Sequence, residues 1–258
     1  MATFLFNDII FGPVESRRLG VSLGVNLLPE DYKYCTYDCL YCECGWTLTL
    51  DTKLKLHTRA EVKTALYKQL SVMKEQGKSP DNITFAGNGE PTIHPEFDQI
   101  IDDTIELRNE FFPKAQISVL SNATQIHKKS VIAALNKVDQ NILKLDTAND
   151  ETYQVLNRPK SKLDVAKLVK RLQVFEGNLC IQTLFIRGQY QGQSFDNTTE
   201  TEVEQWISLL HQIKPKMVMI YPIARDTPHP DLEKIDPDTL KAIGKKVQDA
   251  GFNVQINT

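Results

Sequence analysis

Four cysteines fall within ten residues, in the run Cys35-Thr36-Tyr37-Asp38-Cys39-Leu40-Tyr41-Cys42-Glu43-Cys44, and a fifth, Cys180, stands far downstream. Thiols this dense point to metal or redox chemistry, because the thiolate is both the soft metal ligand and the nucleophile. Several chemistries compete for them. Cys39-Leu40-Tyr41-Cys42 alone has the spacing of a thioredoxin-like dithiol, which needs no third cysteine. Four thiols can hold a structural zinc, but such sites draw two pairs from separated knuckles. Buried thiols without chemistry are the plain alternative. The reading that best uses the spacing is an iron–sulfur cluster on Cys35, Cys39 and Cys42. Three thiolates on a four-iron cube leave one iron free for another ligand, and an open position is where a metal site does chemistry. Cys44 is read as a neighbouring thiol outside that set.

The elements that must carry this loop alternate. Apolar runs of strand length occur at Val21–Asn26, Ile83–Gly87, Gln116–Ser121, Asn141–Asp146, Leu179–Ile186, Met217–Tyr221 and Phe252–Ile256. Between them lie segments of helical period: Val62, Leu66, Leu70 and Met73; Phe97, Ile101 and Ile105; Leu163 to Phe175; and Val203 to Ile213. Ser161, Thr199 and Asp236 are expected N-caps, the last with Pro237 at the first helical position. Strands alternating with helices mean βα units on a parallel sheet, here a full or partial barrel or a long open sheet. Crossovers of one hand gather the loops that follow the strands at one rim, where barrels place their function. That rim carries the cysteines, then Gly87-Asn88-Gly89-Glu90-Pro91-Thr92, Ser121-Asn122-Ala123-Thr124, Asp146-Thr147-Ala148-Asn149-Asp150, Arg187-Gly188, and Pro222 to Pro228.

Composition narrows the classes. The chain has 258 residues, 30 Lys+Arg against 33 Asp+Glu for a net charge of −3, 41% hydrophobic and 24% charged residues. That is ordinary globular material, neither disordered nor strongly basic as a dedicated nucleic-acid binder is. No run approaches the roughly 18–20 apolar residues of a membrane helix. The apolar start Phe4–Phe11 is broken by Asn7 and Asp8 and lacks a preceding basic residue, so it is a poor signal peptide. Five cysteines, an odd number, do not describe a disulfide framework, and a cytoplasmic location is expected.

A C-x3-C-x2-C motif after the first strand of such a series resembles the radical S-adenosylmethionine (SAM) superfamily. Phe11-Gly12-Pro13-Val14-Glu15-Ser16-Arg17-Arg18-Leu19-Gly20, Ser22-Leu23-Gly24-Val25-Asn26 and Gly87-Asn88-Gly89-Glu90-Pro91-Thr92-Ile93-His94-Pro95 are similar to one branch of it, the small iron–sulfur oxidoreductases related to wyosine-synthesising tRNA enzymes. The resemblance spans roughly residues 9–228. It implies an α/β fold, a partial (β/α)6-type barrel of parallel strands with outer helices. A single domain, 1–258, would have a core at about 9–228 and a short C-terminal helix–strand extension at 229–258.

The resemblance also implies that Cys35, Cys39 and Cys42 ligate one [4Fe–4S] cluster. The fourth iron would chelate the amino and carboxylate groups of S-adenosyl-L-methionine. Tyr41 would pack near the adenine. Asn88-Gly89-Glu90, with Asn88 in place of the family's first glycine, would receive the methionine amino group. Ser121, Asn122, Lys144 and Asp146 stand where the family recognises ribose and carboxylate. The implied reaction cleaves SAM reductively to methionine and a 5′-deoxyadenosyl radical that abstracts hydrogen from a substrate, with ferredoxin or flavodoxin as electron donor.

No cysteine precedes Cys35, whereas the wyosine enzymes carry upstream cysteines for a second cluster. A tRNA nucleoside therefore remains one expected substrate class, without support from charge. A glycyl-radical-type activase acting on a protein and a non-catalytic zinc-binding adaptor are the alternatives. Arg17, Arg18, Tyr221 and Arg225 are the substrate candidates. Arginines suit an anionic substrate, and a tyrosine at a strand end can relay or quench a radical. His94 is expected to start the helix after Pro95 rather than to catalyse. Leu54-Lys55-Leu56 suggests a small strand before His57, and Gln189–Thr199 a long loop over the barrel mouth. The basic stretches Arg158–Lys162 and Lys241–Lys246 read as solvated faces.

Overall fold

In the computed structural model, which describes residues 4–47 and 55–258, eleven strands and seven helices follow one another. Strands β1 (Ile10–Ser16) and β2 (Gly20–Val25) form a hairpin that leads into the cysteine loop. Then come α1 (Arg59–Glu75), β3 (Asn82–Phe85), α2 (Phe97–Phe111), β4 (Gln116–Ser121), α3 (Lys129–Lys137) and β5 (Gln140–Lys144). Next are α4 (Asp150–Asn157), α5 (Val165–Leu172), β6 (Cys180–Leu184), β7 (Ile186–Tyr190), β8 (Gln193–Asp196), α6 (Glu200–Ile213), β9 (Met217–Tyr221), β10 (Leu232–Lys234), α7 (Pro237–Asp249) and β11 (Val254–Ile256).

Eight strands make one sheet in the order β1-β2-β3-β4-β5-β6-β9-β11. All neighbours are parallel except the β1–β2 hairpin. Spatial order follows chain order, so every right-handed crossover lays its helix on the same face. A twisted sheet covered on one face only curls about the other. The product is a curled half-barrel with helices outside and a lumen inside, the fold class expected.

The two faces differ in chemistry. Outward, Leu66 and Leu70 of α1, Ile100 and Ile101 of α2 and Trp206 of α6 are buried in one continuous core, each large apolar side chain contributing about 1.5–3 kcal/mol. Inward, Leu19, Ile142, Cys180 and Met219 form a small separate apolar floor. Ser22 and Thr84 hydrogen-bond beside each other at 2.7 Å. By strand alternation Lys144, Gln182 and Tyr221 line the same interior nearer the rim.

Helix starts follow the capping rules. Thr58 and Glu61 form a capping box on α1, and Asn149, Thr199 and Asp236 cap α4, α6 and α7. The expected cap Ser161 is replaced by Asp164, whose carboxylate accepts from Lys167 N at 2.7 Å. Other expectations are also corrected. Leu179–Ile186 is two strands, divided at Phe185, and Gln189–Thr199 is mostly a hairpin, β7–β8, which β10 joins in a second, three-stranded sheet. Strand β1 and helices α3 and α4 go beyond the sequence reading. Lys55 and Leu56 belong to no strand, and Leu54 lies outside the described residues. Among the described residues no helix is long and apolar enough to cross a membrane.

Candidate active site

The cysteine loop is fastened on both sides by backbone hydrogen bonds, to the loop after β3 and to the end of α4. Tyr34 pairs in parallel with Gly89, Tyr34 N donating to Asn88 O at 2.7 Å and Glu90 N to Tyr34 O at 3.1 Å. Across the rim, Asp38 N donates to Asn157 O (3.1 Å) and Leu40 N to Leu156 O (3.0 Å) at the end of α4. Tyr37, buried, joins its hydroxyl to that of Tyr153 at 2.6 Å. A turn closes the loop, with Cys42 N donating to Cys39 O and Gly45 N to Cys42 O.

Cys35, Cys39 and Cys42 thereby line one cavity of about 180 Å³, together with Lys33, Tyr41, Gly89, Glu90, Ser121, Asn122, Lys144 and Gln182. Among the described residues no three His, Cys, Asp or Glu side chains converge as ligands of a single metal ion. Three thiols lining one cavity suit a polynuclear group, whose irons lie apart. Burial pushes the Cys35 thiol up to about 12 and the Cys39 thiol above its usual value. Cys42 goes the other way, because its interaction with the neighbouring Cys44 outweighs burial and the Lys33 ammonium adds to it. Lys33 is itself buried, 2% exposed, with its ammonium on Gly45 O at 2.9 Å. Burial disfavours its charge, but Cys42, Cys35, Cys39 and Asp38 outweigh that and hold it charged. Amide groups approach two sulfurs: Asn122 Nδ2 lies 3.5 Å from Cys35 Sγ, and Asn157 Nδ2 3.5 Å from Cys39 Sγ. Soft donors, a compensating cation and hydrogen bonds to sulfur form a donor set that fits an iron–sulfur cluster.

Glu90 is 2% exposed. Its Oε1 accepts from Thr92 N (3.1 Å), from the Thr92 hydroxyl and from Ser121 Oγ (2.8 Å), while Oε2 accepts Asn122 N (2.6 Å). Burial raises its pKa against those four donors. Gly89 has φ +143°, and a Cβ there would stand 1.8 Å from Tyr34 O, so only glycine lets the two loops touch. Lys144 Nζ sits 2.6 Å from the Tyr41 hydroxyl and 4.9 Å over its ring. Burial opposes its charge, and Asp146 with Tyr221 and Cys39 restores it.

Two expected contacts are placed apart from this cavity. The Asn88 side chain is wholly buried and spans Phe6 N, Phe6 O (both 2.9 Å) and Pro29 O (2.7 Å), bracing the loop from behind. Asp146 accepts Leu184 N (3.0 Å), Asn157 Nδ2 (2.7 Å) and the Tyr41 hydroxyl, and so orients Tyr41 from beneath. Next door, a cavity of about 250 Å³ shares Tyr41 and Cys42 and is lined by Arg17, Arg18, Tyr221 and Asn257. Arg225 lies beyond it, paired with Glu43 at 2.6 Å. Cys44 donates to Gly87 O (3.2 Å), and Cys180 is buried in the lumen floor. His94 bonds His57 O (2.7 Å) and accepts Glu96 N (3.2 Å), both structural contacts before α2. Lys33, Asn157, Gln182 and Asn257 carried no spacing signal. Adjacency to Cys35 was the one hint for Lys33.

The family model of the radical SAM superfamily matches residues 30–193, from the cysteine loop to the second sheet. The chain belongs to the radical SAM superfamily. A UPF0026 protein of Helicobacter pylori is 30% identical over 184 residues, covering 70% of this chain and 57% of that protein. A protein named GTPase Obg of Brachyspira hyodysenteriae is 27% identical over 252 residues, covering 96% of this chain and 34% of its own length. The chain thus spans about a third to three-fifths of these curated relatives. A radical SAM methyltransferase from Sphaerobacter thermophilus superposes with TM-score 0.68 at 16% identity, over 92% of this chain and 65% of that one. This last likeness is of fold. Members of this superfamily work with SAM and an iron–sulfur cluster.

Proposed function

We propose that this radical SAM enzyme holds one [4Fe–4S] cluster on Cys35, Cys39 and Cys42. The observation that carries the reading is the cavity those three thiols share with Lys33, Glu90 and Lys144. When bound, the group supplies one electron for cleavage of SAM to methionine and a 5′-deoxyadenosyl radical, which takes a hydrogen atom from the substrate. The chain's part is to bind, orient and shield. Lys33 offsets thiolate charge from the buried side. The amides of Asn122 and Asn157 donate to sulfur and raise the potential. Glu90, held by Ser121 and by Asn122 N, offers its carboxylate to the methionine ammonium through a charge-assisted hydrogen bond. Lys144 is the cation for the carboxylate end, and Tyr41, fixed by Asp146, gives the adenine a flat wall. A low-potential ferredoxin or flavodoxin would supply the electron, and a tRNA nucleoside remains one substrate class.

The test is anaerobic. The protein is reconstituted with iron and sulfide, reduced with dithionite, given SAM and assayed for 5′-deoxyadenosine by mass. Product that vanishes when Cys35, Cys39 and Cys42 are changed to alanine bears the reading out. A loaded, reducible cluster that neither binds SAM nor cleaves it sinks the reading.

A further inference from the structure

Resting on that reading, we propose that the cavity beside Cys42 is a subsite for an anionic head group of the second substrate, a carboxylate or phosphate, held by Arg18 and Asn257. Arg18 leaves the β1–β2 turn, where Ser16 Oγ accepts its backbone N–H at 3.3 Å. Its half-buried side chain reaches across the lumen, stacks 4.6 Å over the Tyr221 ring and donates Nη1 to Gln182 Oε1 at 3.0 Å. A guanidinium carries five N–H donors, and this is the side-chain bond Arg18 makes among the described residues. No described carboxylate lies within ion-pair distance of it. The neighbouring arginines differ, for Arg225 is paired with Glu43 and Arg17 is exposed and donates to Thr258 O at 2.9 Å. Asn257 is an independent observation. It is 7% exposed and lines the same cavity, yet its Nδ2 is shut from solvent with no partner among the described residues. A half-buried cation with spare donors in a cavity of about 250 Å³ is complementary to an oxyanion, and the unmatched Asn257 amide, enclosed behind the same wall, gains a partner by turning its side chain toward that anion. The cavity also shares Tyr41 and Cys42 with the proposed cluster site, so a head group anchored here leaves the rest of the molecule beside the reacting centre.

The experiment uses the reconstituted, unreduced protein saturated with SAM, titrated by calorimetry with inorganic phosphate and with succinate. Arg18→Gln and the isosteric Asn257→Asp are compared with wild type, and Lys241→Gln, on α7, is the control. Circular dichroism checks the fold of each. Wild type is expected to bind one probe per chain. Arg18→Gln should weaken it by about 10- to 100-fold, the effect of one charged hydrogen bond. Asn257→Asp should weaken it as much by setting a carboxylate against the anion, with SAM affinity kept in both. Preference for phosphate points to a phosphate ester and preference for succinate to a carboxylate, and either supports the subsite. The proposal is overturned if wild type binds neither probe or both variants bind as wild type does. Loss of SAM together with the probe also overturns it, since Arg18 would then serve SAM itself. If wild type does not bind SAM at all, the functional reading falls first, and the two failures are told apart.

Discussion

Replacing Gly89 by alanine strikes the joint that holds the cysteine loop to the sheet. A Cβ there would meet Tyr34 O at 1.8 Å and Tyr34 C at 2.5 Å, both backbone atoms that cannot rotate away. The backbone sits at φ +143°, a region that costs a non-glycine residue about 1–3 kcal/mol. Separating the loops also breaks the bonds from Tyr34 N to Asn88 O and from Glu90 N to Tyr34 O, each worth about 1 kcal/mol net. The sum is about 3–5 kcal/mol. At 2–4 °C per kcal/mol for a chain of this size, that lowers Tm by roughly 6–20 °C. Iron per chain after reconstitution should fall with it, because Cys35 follows Tyr34 directly. Gly192→Ala is the control. Its φ is +81° with nothing within 4 Å of the added carbon, so it carries strain alone, about 1 kcal/mol, and should keep full iron. Differential scanning fluorimetry of the apo-protein and iron analysis of the loaded one read both effects. A Gly89→Ala protein with wild-type Tm and full iron would refute the close-approach argument.

Three other outcomes are expected. Glu90→Gln should lower stability by about 2–3 kcal/mol in denaturant titration. Its amide NH2 must face either the three donors on one oxygen or Asn122 N on the other, leaving a buried donor unmatched. Tyr41→Phe removes the hydroxyl between Lys144 and Asp146, but Asp146 keeps Leu184 N and Asn157. A loss of about 1–2 kcal/mol with unchanged iron content is expected, and loss of the cluster would mean Tyr41 does more than position. Burial lowers the His94 pKa, and Nδ1 accepts Glu96 N. The unfolded chain then binds this proton more readily than the folded one. Stability tied to His94 is present above the unfolded pKa of about 6.5 and is lost as pH falls through the lower folded value. Tm measured from pH 7.5 to 5 should fall less steeply in His94→Gln than in wild type.

The strands that make the half-barrel were legible because largely buried parallel strands read as short apolar runs, as Ile83–Phe85 and Met217–Tyr221 do. Thr199 and Asp236 were legible as caps because capping is local chemistry. What escaped depends on contacts between distant segments. Strand β1 holds Gly12 and Pro13, shifts register between Phe11 and Val14, and is mostly exposed, so no alternation marks it. The β7–β8 hairpin turns at Gln191 and Gly192, both with positive φ, inside a polar stretch that reads as loop. In the site, the C-x3-C-x2-C spacing and the Gly89-Glu90 pair announced themselves, whereas Lys33 and Asn157 matter through where the chain folds back. Asp146 shows the other limit. A carboxylate at a strand end looks like a ligand contact, yet here it is enclosed by donors from three other segments.

That enclosure ties the rim together. Asp146 accepts from Tyr41 in the cysteine loop, from Asn157 at the end of α4 and from Leu184 at the end of β6, while its backbone O accepts Asn197 Nδ2 at 2.8 Å. Asn197 also accepts Ile186 N at 2.7 Å and donates to Leu184 O at 2.8 Å, so the second sheet hangs from the same residue. Asn157 in turn reaches Cys39 Sγ. Buried hydrogen bonds linked in this way polarise and constrain one another, so removing one member disturbs the rest more than a lone contact would. The β7–β8 hairpin is thereby linked through Asn197, Asp146 and Asn157 to the sulfur of Cys39, along bonds that each have a named donor and acceptor. Double-mutant cycles between Asn197 and Asn157 measure that coupling. Strict additivity would show the rim to be a set of independent contacts, whereas non-additivity of about 0.5 kcal/mol or more is expected from two amides that bond one residue, Asn197 at the backbone O of Asp146 and Asn157 at its carboxylate.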